Sequence, residues 1–442
     1  MNMRPTVILS TSLAFLSVHV ASAGQVEKLL PTDGRPDAQF GCSVALEGDS
    51  IVVGSRGDDF LGEGAGAIYL FGATTGTQLH VIRPDDSEPG DRFGTSVTID
   101  GGIVAAGAPY DDDRGVDAGA VYLFNASTGI AITKILPPPG SDGAQFGASI
   151  DSDGGLLVVG SPFANAADLY DMSTGAHLHQ LIRIDGGSID RFGGAVAIDG
   201  DNVVVGAQAH ANGPLFLAGA AYLFDASTGS FRHKLLPNDA AVSDFFGSAV
   251  SVKDDVVLVG AWAKSIVFDH SGATYRFDAD SGEQIGTRLV PADSADRDNF
   301  GFAIAAAGEM IWCGAPGDSD IAFESGSIYG FSIGDGSEQV EHHAFDAAAL
   351  DEFGSAVAAS ARWLVVGAPS DDDSGLSSGA VYLHSLGACS SDLNDDGVLD
   401  VFDVIRFLEW FDEMSPGADW NDDGIFDIFD ITSYLGAFSL GC

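Results

Sequence analysis

The dipeptide Phe-Gly opens seven segments of this chain, at Phe40, Phe93, Phe146, Phe192, Phe246, Phe300 and Phe353. Successive starts lie 53, 53, 46, 54, 54 and 53 residues apart. A period near this length, filled with short β-rich runs, predicts a propeller. No unit holds a 3.6-residue periodicity over ten positions, which excludes helical repeats. The copy from Phe93 to Pro137 shows the pattern. Phe93-Gly94 leads into Thr95-Ser96-Val97, a tight turn falls at Asp100-Gly101-Gly102, and Ile103-Val104 rises to Gly107-Ala108-Pro109. An acidic segment from Tyr110 to Asp117 follows, then Gly119-Ala120-Val121-Tyr122-Leu123-Phe124. The turn at Asn125 to Gly129 and a last run ending Ile135-Leu136-Pro137 complete the unit.

Each unit supplies four strands. The first follows Phe-Gly, as in Ser43-Val44-Ala45-Leu46, and the second ends in Gly, as in Ile51-Val52-Val53-Gly54. Such continuous apolar runs suit strands buried on both faces. The third is centred on Tyr69, Tyr122, Tyr170, Tyr222, Tyr275, Tyr329 or Tyr382. The fourth is the Leu-Leu-Pro type, as at Leu235-Leu236-Pro237 and Leu289-Val290-Pro291. Proline at its end fits an outer edge, where a missing N–H costs nothing. One such strand, Leu29-Leu30-Pro31, precedes the first Phe-Gly, and none follows Tyr382-Leu383. The predicted fold is therefore all-β, a seven-bladed β-propeller over residues 24–387. An N-terminal strand would close blade seven and remove the open edges.

Phe-Gly followed by Gly-Ala-Pro resembles the FG-GAP repeats of the integrin α-subunit propeller and its bacterial relatives. The integrin type carries calcium loops between strands one and two. Here that place holds short turns such as Asp199-Gly200-Asp201, so those calcium sites are not expected. The chain is closer to the bacterial subgroup, with acidic residues after Gly-Ala-Pro.

The chain has 64 acidic and 19 basic residues, a net charge of -45. Such a surface repels nucleic acid and anionic membranes, and suits basic partners, divalent cations or a salty medium. Residues 1–23 read as a secretory signal: Arg4, an apolar stretch from Val7 to Val20, and Ala21-Ser22-Ala23 as the cleavage site. No later segment has the roughly 18 apolar residues that span a bilayer, so a secreted or cell-surface location is expected. Of four cysteines, Cys389 and Cys442 bracket the last segment and could be bridged, which would stabilise by roughly 4 kcal/mol. Cys42 and Cys313 lie within strand patterns and are expected to be buried.

The segments after strand two and after strand four should emerge on one face. They concentrate Asp58, Asp59, Asp91, Asp111, Asp112, Asp113, Asp117, Asp298, Asp318, Asp320, Asp351, Asp371, Asp372 and Asp373. Asp111, Asp113 and Asp117 could chelate a hard cation, although aspartates capping their own turn are favoured. Arg56-Gly57-Asp58 spells an integrin-binding tripeptide on an exposed loop and is read as coincidence. Gly330-Phe331-Ser332-Ile333-Gly334 matches the hydrolase elbow but overlays a strand-to-strand turn, so it is rejected. His342-His343 is expected on an exposed edge. No acid–base or nucleophile arrangement recurs, and the chain is read as not an enzyme.

After Cys389 the pattern changes. Asp392, Asn394, Asp396, Asp400 and Asp403 hold loop positions 1, 3, 5, 9 and 12 of a calcium loop, with Gly397 at the turn and the Val398 carbonyl at position 7. Asp419, Asn421, Asp423, Ile425, Asp427 and Asp430 repeat the set 27 residues later, around Gly424. Each loop runs into an apolar helix, with Phe402, Ile405, Phe407, Leu408 and Phe411 in one and Phe429, Ile431, Tyr434, Leu435 and Phe438 in the other. Aspartate at position 12 and the lack of an entering helix resemble type I dockerin repeats. That resemblance implies a small α-helical Ca2+ module over 388–442. It departs at Val401-Phe402 and Ile428-Phe429, where dockerins commonly carry small hydroxyl residues, so a standard cohesin partner is not implied.

These features predict a secreted or surface binding and adhesion protein. The propeller would be its scaffold and the calcium module its stabiliser or surface anchor. The partner would be an extracellular protein or glycan. The alternative is a lectin-like or cryptic lyase component of an extracellular polysaccharide-degrading assembly. It would need His, Tyr and Arg clustered on one propeller face, which the sequence does not display. A purely structural surface-coat role is the third reading.

Overall fold

The computed structural model describes residues 26–185, 190–266, 268–386, 393, 401–412, 418 and 428–440. Seven antiparallel sheets follow one another around a central channel. In blade two the strands are Ser96–Asp100, Ile103–Ala108, Ala120–Asn125 and Ala131–Ile135, laid from channel to rim in chain order. Blade seven holds Ala356–Ala359, Trp363–Ala368 and Ala380–Ser385, and Val26–Leu29 pairs with the last of these, Lys28 opposite Tyr382. Ring closure by the N-terminal strand is thus as expected.

The repeated dipeptides have a mechanical reason. The glycine of Phe-Gly sits at positive φ, +84° at Gly94, where other residues are strained. The glycine of Gly-Ala-Pro meets the Phe-Gly carbonyl of the next blade, so that a Cβ on Gly107 would collide with the Gly147 oxygen. The same clash is set up at Gly54, Gly160, Gly206, Gly260, Gly314 and Gly367. Two glycines per unit let neighbouring blades touch backbone to backbone. The phenylalanine then packs edge-on against the blade's tyrosine, with centroids 5.3 Å apart for Phe93–Tyr122 and 5.8 Å for Phe300–Tyr329. The core lies between blades, as where Val52, Ile68 and Leu70 of blade one pack with Phe93, Val104 and Tyr122 of blade two.

Two expectations change. Blade five has three strands, Val250–Lys253, Val256–Ala261 and Ala273–Asp278. Its predicted fourth strand reduces to the isolated bridges Thr274–Leu289 and Phe277–Gln284. Nine positions separate Gly282 from Pro291, against eight from Gly229 to Pro237 in blade four, and the extra residue breaks the ladder. Cys313 is buried, but Cys42 is half-exposed beside the channel. The signal segment and the Cys389–Cys442 pair lie outside the described residues. Helices Val401–Asp412 and Ile428–Leu440 follow the propeller in sequence and stack Phe407 on Tyr434, centroids 4.1 Å apart. Ile405, Leu408 and Leu435, expected to be packed, are exposed. Among the described residues no helix is long and apolar enough to cross a membrane.

Candidate functional site

The loops after strand two and after strand four do share one face. Backbone N–H groups of one loop donate to carbonyls of the preceding blade's loop, as Arg92 to Gly64 and Phe93 to Ala65, each at 3.0 Å. The residue before every Phe-Gly is held at a left-handed φ between 53° and 59°: Gln39, Arg92, Gln145, Arg191, Phe245, Asn299 and Glu352. Seven copies of a strained conformation in non-glycine residues need a frame that over-determines them, and those inter-blade hydrogen bonds supply it. The frame is constant while the side chains on it vary.

Beneath the face, the loop aspartates serve as internal ion partners. In blade two the Tyr122 hydroxyl donates to Asp111 at 2.9 Å, and Lys134 Nζ reaches Asp86, Asp111 and Asp113 at 3.0, 2.8 and 2.6 Å. Burial penalises the Lys134 ammonium, but hydrogen bonds to Asp111 and Asp113 outweigh it and raise its pKa. Blade seven repeats the arrangement with Lys28, Asp346, Asp371, Asp373 and Tyr382. In blade one Arg83 holds Asp58 and Asp33, and Tyr69 donates to Asp58. Asp58 is 1 % exposed. This corrects the expected exposure of Arg56-Gly57-Asp58, whose carboxylate is turned inward to Arg83. The chelating trio at Asp111, Asp113 and Asp117 resolves into turn caps and a lysine bond: Asp111 accepts from the Asp113 N–H, and Asp112 from the Asp117 N–H.

Blade four brings together the His, Tyr and Arg that the sequence did not display. His210 stands where blades one, two, six and seven have Asp58, Asp111, Asp318 and Asp371. Its Nδ1 lies 2.9 Å from Asp190, its Nε2 lies 2.9 Å from Lys234 Nζ, and Arg183 also binds Asp190. Tyr222 donates to Asp185 at 2.8 Å. Both imidazole nitrogens are occupied and the ring is buried, so this cluster is a variant of the ion network.

Blade six lacks the cation. Glu341 faces Tyr329 in the register where Lys134 faces Tyr122. Asp293, Asp320 and Glu341 bring carboxylate oxygens within 4.8 Å of one another, and Tyr329 donates to the neighbouring Asp318 at 2.7 Å. Oxygen donors of this kind suit a hard cation; they are also what remains when a blade loses its lysine. Burial, with Asp293 and Asp318 adding, pushes Glu341 up to about 7. Beside it His342 stacks on Trp312 at 5.8 Å, and His343 Nδ1 meets Ser327 at 2.8 Å. The expected exposed edge is a packed one.

On the surface of the face, each blade exposes at least one large apolar side chain from its strand-two-to-three loop: Phe60, Val116, Phe163, Phe216, Phe268, Phe323 and Leu376, between 44 % and 68 % exposed, with Leu61 and Ile321 beside them in blades one and six. Inside this crown lies a cavity of about 280 Å³, lined by Trp262 and His270 of blade five, Arg297, Asn299 and Glu324 of blade six, and Glu352 of blade seven. Phe245 stacks on Trp262, centroids 5.5 Å apart and 18° between planes, and His270 lies 6.0 Å from it. The sequence reading missed this site. The available signal was Gly260-Ala261-Trp262, where tryptophan replaces the proline of Gly-Ala-Pro.

Six segments, residues 23–71, 77–124, 178–224, 230–277, 286–331 and 337–384, match the model of the FG-GAP repeat, well over half of the chain. The chain belongs to the FG-GAP repeat family. Each matched FG-GAP segment starts at the outer edge of one blade and runs into the next blade's inner three strands. The unmatched interval contains Phe146. That blade has the short loop Ser161-Pro162-Phe163-Ala164-Asn165 and no aspartate beneath its tyrosine. No curated protein matches the chain.

Of the predicted calcium ligands, Asp403 and Asp430 are described. Each is the third residue of its helix and fully buried, and Asp403 accepts from the Leu393 N–H at 2.9 Å. Asp392, Asn394, Asp396, Val398, Asp400, Asp419, Asn421, Asp423, Ile425 and Asp427 lie outside the described residues.

Proposed function

We propose that this chain is a secreted or surface-held binding protein without enzymatic activity, and that the loop-bearing face of its propeller is the binding platform. The observation that carries the reading is the apolar crown. A protein of net charge -45 that displays at least one large apolar side chain per blade on a single face has a surface suited to a partner. The test is to array the full chain against extracellular proteins and glycans beside a variant carrying Val116→Ser, Phe216→Ser, Phe323→Ser and Leu376→Ser. Binding lost in the variant supports the platform. Binding that persists in the variant, or no binding by the parent, removes it.

The terminal segment would be a dockerin type I-like pair of Ca2+ loops that stabilises the protein or docks it to a surface. Its support is the equivalent placement of Asp403 and Asp430, buried at the starts of two helices joined by Phe407 and Tyr434. Carboxylates at helix N-termini are favourably placed, and ion binding would complete them. Calorimetric titration of the full chain should lose two calcium equivalents on the double change Asp392→Ala and Asp419→Ala. Unchanged stoichiometry sinks the module.

A further inference from the structure

The geometry points to a saccharide site in the cavity of blades five to seven, one that takes a single neutral pyranose unit of a larger glycan. The inference rests on the proposed binding face and names its ligand chemistry.

The frame is rigid where it needs to be. His270, Arg297, Asn299, Glu324 and Glu352 all sit at left-handed φ, between 50° and 66°. Backbone bonds across blades hold them there: Arg297 N–H to Asp269 at 2.8 Å, Asn299 N–H to His270 at 3.2 Å and Glu352 N–H to Glu324 at 3.2 Å. Trp262 is fixed from behind by its stack on Phe245. A backbone already fixed leaves only the side-chain rotamers to be ordered on binding, which lowers the cost of holding a ligand.

Elsewhere on the face the equivalent side chains satisfy one another. Arg56 binds Gln39 at 2.7 Å, Arg92 covers Tyr110 at 4.7 Å, and Arg191 covers Phe163 at 5.1 Å. Around the cavity, the side chains of Arg297, Asn299 and Glu324 have no protein hydrogen-bond partner among the described residues, and no guanidinium covers Trp262. Polar groups left open beside an indole that no guanidinium caps are what a ligand would complete.

The donor set selects the ligand class. Arg297 donates, Glu324 and Glu352 accept, and Asn299 does both. A polyol, whose hydroxyls donate and accept, can answer all of them. An anion would face two glutamates and the field of a strongly acidic protein, and a cation would face Arg297. A cavity of about 280 Å³ is at the small end for ligand pockets. It suits one ring, with an apolar face laid on the indole.

The test titrates the full chain with methyl α-glucoside, methyl α-mannoside, methyl β-galactoside and N-acetylglucosamine, with galacturonate as the charged control. Tryptophan fluorescence and saturation-transfer NMR provide the readouts. One neutral glycoside should saturate with a Kd of about 1 mM, and Trp262→Ala should weaken it at least about tenfold. Arg297→Met, a change on an exposed side chain, should also weaken binding and guards against a misfolded tryptophan variant. The site is overturned if none of the neutral glycosides saturates by about 50 mM. It is also overturned if galacturonate binds more tightly, or if both variants bind as the parent does. Should the site fall while the crown variant still loses its array binding, the platform stands with another ligand. If both are silent, the platform falls too.

Discussion

Blades two and six share a ladder register, a tyrosine and a loop aspartate, yet one buries a lysine where the other buries a glutamate. In blade two the Lys134 ammonium gathers Asp86, Asp111 and Asp113. In blade six Glu341 joins Asp293, Asp318 and Asp320, and the nearest basic group is His343 Nε2 at 3.1 Å. The following residue differs as well: the apolar Ile135 in blade two, His342 in blade six. The frames superpose in pattern all the same, with Phe93 on Tyr122 and Phe300 on Tyr329 edge-on. The glycine contacts and aromatic core therefore build a blade, and the ion network is a separate layer that tunes it.

The largest effect should come from making blade two resemble blade six. Lys134→Met removes the only cation paired with Asp111 among the described residues, from a pocket in which the Asp111 side chain is 3 % exposed. An uncompensated buried carboxylate costs about 3 kcal/mol, read as a lower midpoint in urea denaturation at neutral pH. A loss below about 1 kcal/mol would rank the cluster with surface pairs and break the distinction between frame and network.

A gain is expected where blade seven departs from its sisters. His384 stands where Phe71, Phe124, Phe224, Phe277 and Phe331 stand, two residues after the blade's tyrosine. It is 2 % exposed, and both ring nitrogens lack hydrogen-bond partners among the described residues. His384→Phe removes that burden and should stabilise by about 1–3 kcal/mol. Burial lowers the His384 pKa to about 4 from its ordinary 6.5. The unfolded chain thus takes up the proton first, and the parent loses stability as pH falls from 6.5 to 4. The variant should lose less over that interval. Equal losses in both proteins would show that His384 does not titrate there.

The repeat was legible because its signals are local and written seven times: the glycine pair, the tyrosine, the turn residues and the period. The ion network was not, because its members are far apart in the chain. Lys28 and Asp371 are 343 residues apart and meet only when the ring closes. Asp58 read as part of an exposed tripeptide because nothing local reveals that Arg83 will claim it. The cavity at Trp262 draws on three blades, so only the substituted proline hinted at it. Blade five's missing strand follows from one inserted residue, which a repeat count tolerates and a hydrogen-bond ladder does not.

The smallest effect tests the comparison from the other side. Glu341→Lys gives blade six the cation that blade two already has, within reach of Asp293, Asp318 and Asp320. Glu341 is held near 7 in the fold against 4.5 in the unfolded chain. The folded state therefore binds the extra proton between those values, and the parent loses stability as pH rises through that window. Asp91 and Asp351, each pushed to about 6 chiefly by burial, act with the same sign but lie in other blades and cancel in the difference. Asp298 and Asp320, raised by burial and by the acids around Glu341, would be relieved by the lysine and add to the same trend. The lysine variant should be more stable by about 1 kcal/mol at pH 7.5, and the advantage should shrink towards pH 5, where the parent's Glu341 is protonated. A constant advantage would assign the gain to packing. A loss would mean that the blade-six acids are arranged around something other than the ammonium their sister blade holds.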